Sequence, residues 1–136
     1  MRAQSGADMA MKISDDQGGF LSVVGLQTKV LKFSAHPVDS THSDSPNGWR
    51  EHLSGAGTKS TEITAEGLFV NSAADALIRA HFFAQSIARF EMSWLEFGVL
   101  SGPFLIPQLS YSGNFQSEAR FEIDLVSTGE IVFSPL

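Results

Sequence analysis

Four histidines, His36, His42, His52 and His81, offer imidazoles for metal binding or proton transfer, and Asp15, Asp16, Asp39 and Asp44 offer loop carboxylates for calcium. The histidine spacing fits none of the local zinc patterns and no cysteine joins it, while a calcium loop needs several oxygen ligands set more closely. Both sets read as polar turn and loop residues, with His81 on a helix at the edge of the core. Gly55-Ala56-Gly57-Thr58-Lys59 has the glycines of a phosphate loop without its spacing. It also leads into a strand, where a phosphate cradle needs a helix N-terminus. Serines are plentiful, so a Ser-His-Asp set can be assembled on paper, but the nucleophile-elbow motif is absent. No catalytic, cofactor-binding or metal-binding residue is assigned.

Two other groups carry more. Glu62 and Glu66 on one alternating segment, with Glu118, Glu122 and Asp124 on another, make an acidic surface if the two strands lie in one sheet. That surface reads either as a solvated sheet face or as a source of paired carboxylates for acid/base work. Trp49-Arg50 stands in a polar stretch, and these two residue types are enriched at binding hot spots. The tryptophan is either a partner anchor or a pin that tucks its own loop onto the domain.

The elements that position these residues follow from periodicity. Apolar residues two apart recur around Met9–Ile13, Phe20–Val24 and Lys29–Ala35, with a turn at Gly18-Gly19. Thr58 to Val70 alternates clearly, with Ile63, Ala65, Gly67 and Phe69 on a dry face. Ser72 reads as the N-cap of a helix over 73–84, carrying Leu77, Ile78 and Phe82 on its apolar stripe. Strands follow over 90–97, 99–111, 118–126 and 130–133, with Pro103 and Pro107 at an edge or bend and a turn at Tyr111-Ser112-Gly113-Asn114. Between the early strands and Thr58 runs an extended loop, residues 39–58. Ordering so long a loop costs entropy, so it is expected to act as an interaction arm.

The whole, 136 residues with net charge -6, is expected to be one soluble domain over 1–136, without a signal peptide at Met1–Ala10 and without membrane insertion. The acidity disfavours a surface that grips nucleic acid by neutralising phosphates. Eleven Phe beside one Tyr and two Trp suit a strand-rich core. Cysteine is absent, and a small domain lacking disulfides often gains stability by oligomerising.

Taken in order, Met1–Lys12, Gly48-Trp49-Arg50-Glu51, Gly55-Ala56-Gly57-Thr58-Lys59, the Phe69–Phe83 strand-to-helix passage and Phe97-Gly98-Val99-Leu100-Ser101-Gly102-Pro103-Phe104 resemble a family. It is the major tail protein, or tail tube protein, of phages with long non-contractile tails, especially the gene transfer agent type. The resemblance implies a mainly β fold: an antiparallel β-sandwich or half-barrel with one flanking α-helix, whose inner sheet joins a ring-shaped β-barrel in the oligomer. It further implies self-assembly into stacked hexameric rings that conduct DNA without binding it specifically, with tail terminator, tape measure and tail-tip proteins as partners. The location implied is the tail of a virion or gene transfer agent particle, after synthesis in the bacterial cytoplasm. On this reading Glu62, Glu66, Glu122 and Asp124 face the lumen. Trp49, Arg50, Glu51, Gly55, Gly57 and Lys59 belong to an inter-subunit loop, and the N-terminal arm helps stacking. Three other readings stay open: a monomeric β-sandwich that binds carbohydrate or protein through Trp49 and Trp94, a tube protein of a related secretion machine, and a small hydrolase using two of the four carboxylates.

Overall fold

Alternating apolar and polar residues build eight strands in the computed structural model, which describes residue 3 and residues 5–135. They are β1 (Met9–Ser14), β2 (Phe20–Ser22), β3 (Leu26–Asp39), β4 (His52–Leu68), β5 (Ala88–Trp94), β6 (Gly98–Asn114), β7 (Ser117–Ser127) and β8 (Val132–Pro135). One helix, α1 (Ala73–Ala84), stands between β4 and β5. The strands form one antiparallel sheet in the order β2-β1-β5-β6-β7-β4-β3, with β8 beside β6. Of the N-terminal arm expected from the sequence, Met1, Arg2 and Gln4 lie outside the described residues.

Strand β6 makes this sheet a half-barrel. Its first part pairs with β5 through Gly98–Phe104 and with β8 through Gly98–Ser101, and its second part pairs with β7. Between them the register slips from Leu105 to Gln108, at Pro107, which has no N–H to give a ladder. The buried residues alternate along β6 as Gly98, Leu100, Gly102, Phe104 and Ile106, and then the pattern breaks. Both parts of the sheet turn their dry faces inward. Met11, Ile13, Phe90 and Met92 meet Ile63, Ile123, Leu125 and Phe104 there, and Phe90 and Phe104 touch edge to face at 6.1 Å.

The sequence expectation of an irregular arm over 39–58 needs correction. Strand β3 continues to Asp39 and β4 starts at His52, so the non-strand segment shrinks to residues 40–51. Gly55 and Gly57 punctuate a strand, where sequence reading took them for loop. The ladder jumps from His36↔Thr58 to Val38↔Leu53, which sets a bulge of extra β4 residues against Pro37. Gly57 adopts φ +95° there, and a Cβ would meet the His36 carbonyl oxygen at 2.1 Å. The turn expected at Tyr111–Asn114 also falls later, because β6 continues to Asn114 and the chain reverses at Phe115-Gln116.

Ser72 starts α1 as expected, its hydroxyl accepting from the Asp75 backbone N–H at 3.3 Å. The helix sends Ala74 and Ile78 into the core. A polar clamp fixes it to the sheet: Asp75, only 4% exposed, pairs with Arg79 and accepts a hydrogen bond from the Tyr111 hydroxyl at 3.3 Å. The Arg79 guanidinium lies over the Phe69 ring, and Tyr111 packs between Phe69 and Phe121.

Two substitutions test this packing by urea unfolding. Ser72→Ala is expected to cost about 1 kcal/mol through the lost cap. Gly67→Ala places a Cβ 2.2 Å from the Gly25 carbonyl oxygen, against backbone that cannot yield like a side chain, and is expected to cost about 3 kcal/mol.

Candidate functional site

The acidic residues expected from alternation come together. Strands β4 and β7 are neighbours, with Glu66 opposite Glu122, Thr64 opposite Asp124 and Glu62 opposite Val126. Beyond β7, Ser110 and Gln108 of β6 stand opposite Glu122 and Asp124. Beyond β4, Thr28, Val30 and Lys32 of β3 stand opposite Glu66, Thr64 and Glu62. The result is a four-stranded face, β6-β7-β4-β3, polar on its outer side. Glu118 shares that side, so five carboxylates stand against two cations, Lys32 and Arg120. Arg120 is directed at Gln27, donating to its Oε1 from both terminal nitrogens at 3.3 Å.

Like charges directly opposite on paired strands sit about 5 Å apart at Cβ and destabilise the pair. The Glu66/Glu122 pairing therefore works against folding. None of the four carboxylates Glu62, Glu66, Glu122 and Asp124 lines the groove between β3 and β8 or the cavity beside Phe82, Phe83 and Pro107. Among the described residues no group of three or more His, Asp or Glu side chains is disposed to hold a metal.

Both edges of this four-stranded face are open among the described residues. Strand β3 pairs with β4 alone, and the stretch of β6 from Gln108 to Asn114 pairs with β7 alone. The β3 edge is long and carries exposed Val30, Phe33 and Val38. Sequence reading missed the β6 edge, because nothing in the chain marks where β5 stops covering it.

The β3–β4 hairpin projects beyond the sheet, and its polar tip is organised from within. Arg50 pairs with Asp39 at 2.9 Å. Glu51 accepts from the Ser45 hydroxyl at 3.0 Å and stands 3.5 Å from the His42 ring, while its backbone N–H donates to Thr41 Oγ1 at 2.7 Å. Arg50 and Glu51 thus hold the arm's shape. Trp49 is 74% exposed, so it is not tucked onto the domain. Lys59 lies on the wall of a groove nearer the sheet.

The remaining candidates are structural. Asp15 closes its own turn, accepting from the Gln17 and Gly19 backbone N–H groups. His81 places Nδ1 2.8 Å from the Ser86 hydroxyl, beside the C-terminus of α1. Burial pushes the Tyr111 phenol up, and the hydrogen bond with Tyr111 raises the Arg79 guanidinium further, so Tyr111 keeps its proton and Arg79 its charge throughout the neutral range.

Comparison with known proteins gives the geometry a setting. A family model described as phage tail tube protein matches residues 3–133. No curated protein matches the chain. Among solved structures, the tail of an empty gene transfer agent particle, refined with helical and C6 symmetry, shares 34% identity at a TM-score of 0.91 over 97% of this chain and 99% of that one. The virion of a native gene transfer agent particle gives 34% and 0.89 over the same shares. The SPP1 tail tube, at 12% identity and a TM-score of 0.77 over 98% of this chain and 80% of that one, shares the fold.

The hairpin tip also yields a titration. The Thr41 hydroxyl, its backbone N–H and then the Arg50 charge hold Asp39 below its ordinary 3.8. A lowered folded-state pKa means that the clasp is favoured above 3.8 and is lost as pH falls through the lower folded value. The Thr41 amide resonance is expected to titrate with a midpoint below 3.8, and Arg50→Gln to move that midpoint upward.

Proposed function

The chain belongs to the phage tail tube protein family and is a structural subunit of a tail tube, from which we propose that six copies close into rings that stack and conduct DNA. The observation that carries this reading is the four-stranded face with two open edges. An exposed edge is a row of unmatched N–H and C=O groups and invites pairing with another chain. Joining β3 of one copy to the Gln108–Asn114 edge of the next satisfies both edges at once. Repeated head to tail around an axis, the contact closes a ring and leaves no edge exposed.

In that ring the side of β6-β7-β4-β3 away from the core faces the bore. Glu62, Glu66, Glu122 and Asp124 then line the passage, and their charge repels the phosphate backbone, which removes the electrostatic part of non-specific binding. The cost of setting Glu66 opposite Glu122 fits a surface shaped for transit. The β3–β4 hairpin, led by Trp49, reaches between subunits or to the adjoining ring, with Gly55 and Gly57 shaping its bulge and Lys59 at its root. The protein's place is the tail of a phage or gene transfer agent particle, after synthesis in the host cytoplasm. There it would meet tail terminator, tape measure and tail-tip proteins. The family role is structural and calls for no catalysis.

Negative-stain electron microscopy of concentrated protein, paired with light-scattering mass, tests the ring. Six-copy rings or tubes with a central hole are expected, and a strict monomer even in the presence of a tail-tip nucleus would defeat the proposal. For the bore, tubes of Glu62→Lys/Glu122→Lys are expected to retain duplex DNA at 50 mM salt and release it as salt rises. Failure to bind would place this face outside the passage. Trp49→Ala should keep the native circular dichroism while impairing ring closure or stacking. An unchanged assembly profile would remove Trp49 from the contacts.

A further inference from the structure

One unexplained apolar feature is a pair of sites at opposite ends of the sheet. At one end Phe115 stands 97% exposed on the β6–β7 turn, the most exposed large apolar side chain among the described residues. The turn beneath it is organised, since Asn114 Oδ1 accepts the Gln116 backbone N–H at 2.9 Å. At the other end an open groove of about 450 Å³ lies between β3 and β8, walled by Phe33, Ala35, Leu100, Ile131 and Phe133, with Lys59 among its lining. Phe33 is 56% exposed within it.

We propose that the β6–β7 turn of one copy, led by Phe115, seats in the β3–β8 groove of a second copy in the adjoining ring. The registers decide between a second copy and the chain itself. Asn114 pairs with Ser117 at the turn, whereas the groove includes Ser127 and Gly129, beyond the far end of β7. Strand β7, at about 3.3 Å per residue, separates them by roughly 35 Å, so no chain can fill its own groove. A second copy displaced along the strand direction can, and because donor and acceptor patches differ, the contact repeats without limit along an axis. The groove's lining carries one charge of each sign, Lys59 and Glu130, so the fit rests on shape and apolar burial. Burial of a phenylalanine ring supplies the driving force, and the open ends of the groove leave room for the flanking backbone. The inference rests on the reading of the chain as a subunit of stacked rings, and it names which surfaces join one ring to the next.

The chain has no cysteine, so paired cysteines report this contact cleanly. Gln116→Cys with Ser34→Cys leaves Phe115 in place. Mild oxidation is expected to give a reducible ladder of covalent multimers, whereas each single-cysteine variant gives dimers at most. In parallel, Phe115→Ser is expected to leave rings but abolish tubes, and Phe115→Leu to keep tubes. A ladder absent from tubes that are visible in the images overturns the contact. So do Phe115→Ser tubes as long as the native ones, and so does a Phe115→Ser variant that loses its rings as well, which would put Phe115 inside the ring. The ring reading fails separately, on the mass and images of the native protein. A ladder from protein that forms no rings would keep the contact, and no ladder from such protein would end both readings.

Discussion

Every backbone N–H and C=O in a folded chain needs a partner or water, and among the described residues the half of this sheet made of β6, β7, β4 and β3 leaves two rows of them without a strand partner. Most of the architecture can be understood as the consequence of keeping those edges available. Strand β5 covers β6 only as far as Phe104, and β8 takes only Gly98–Ser101. Had β5 extended past its Ala88–Phe104 pairing, the β6 edge would have been consumed inside the monomer, whereas β8 lies on the other side of β6, in line with β7. The slip at Pro107 serves the same end, because it turns the second half of β6 away from β5 while keeping it on β7.

An open sheet also needs something to hold its curvature. Helix α1 does this from the inside, with Ile78 buried in the core and with Asp75, Arg79 and Tyr111 joined across to β6. The clamp joins a carboxylate, a guanidinium and a phenol, each bonded to another of the three. A carboxylate as buried as Asp75 is tolerable only with such partners, and removing one of them would strand the others. The helix therefore keeps the dry face closed while both edges stay open.

The outer face shows a different balance. Stability alone would alternate charge signs across β4 and β7, yet Glu66 meets Glu122 and only Lys32 and Arg120 offset the five carboxylates. Arg120 is partly turned aside to Gln27. Sites where local rules are broken are where function is expected to reside, and in the ring we propose an acidic strip facing the bore would account for the breach. The hairpin tip follows the opposite logic: Arg50 is matched by Asp39 and Glu51 accepts from Ser45, while the indole of Trp49 stands outward.

Much of this was legible in the residues. Alternation at Ile63, Ala65 and Gly67, and at Phe121, Ile123 and Leu125, determined two strands and their dry faces, because side chains in a strand point to opposite sides by geometry alone. The helix over 73–84 followed from Ser72 and the spacing of Leu77, Ile78 and Phe82. Other features depend on which strand lies beside which, and no local pattern encodes that. That Glu66 faces Glu122, that β6 keeps a free edge, that Gly55 and Gly57 lie in a bulged strand, and that Asp75 meets Tyr111 thirty-six positions away were decided by tertiary pairing. Periodicity constrains the direction of a side chain, whereas its neighbours come from long-range register, which is chosen by the packing of the whole core.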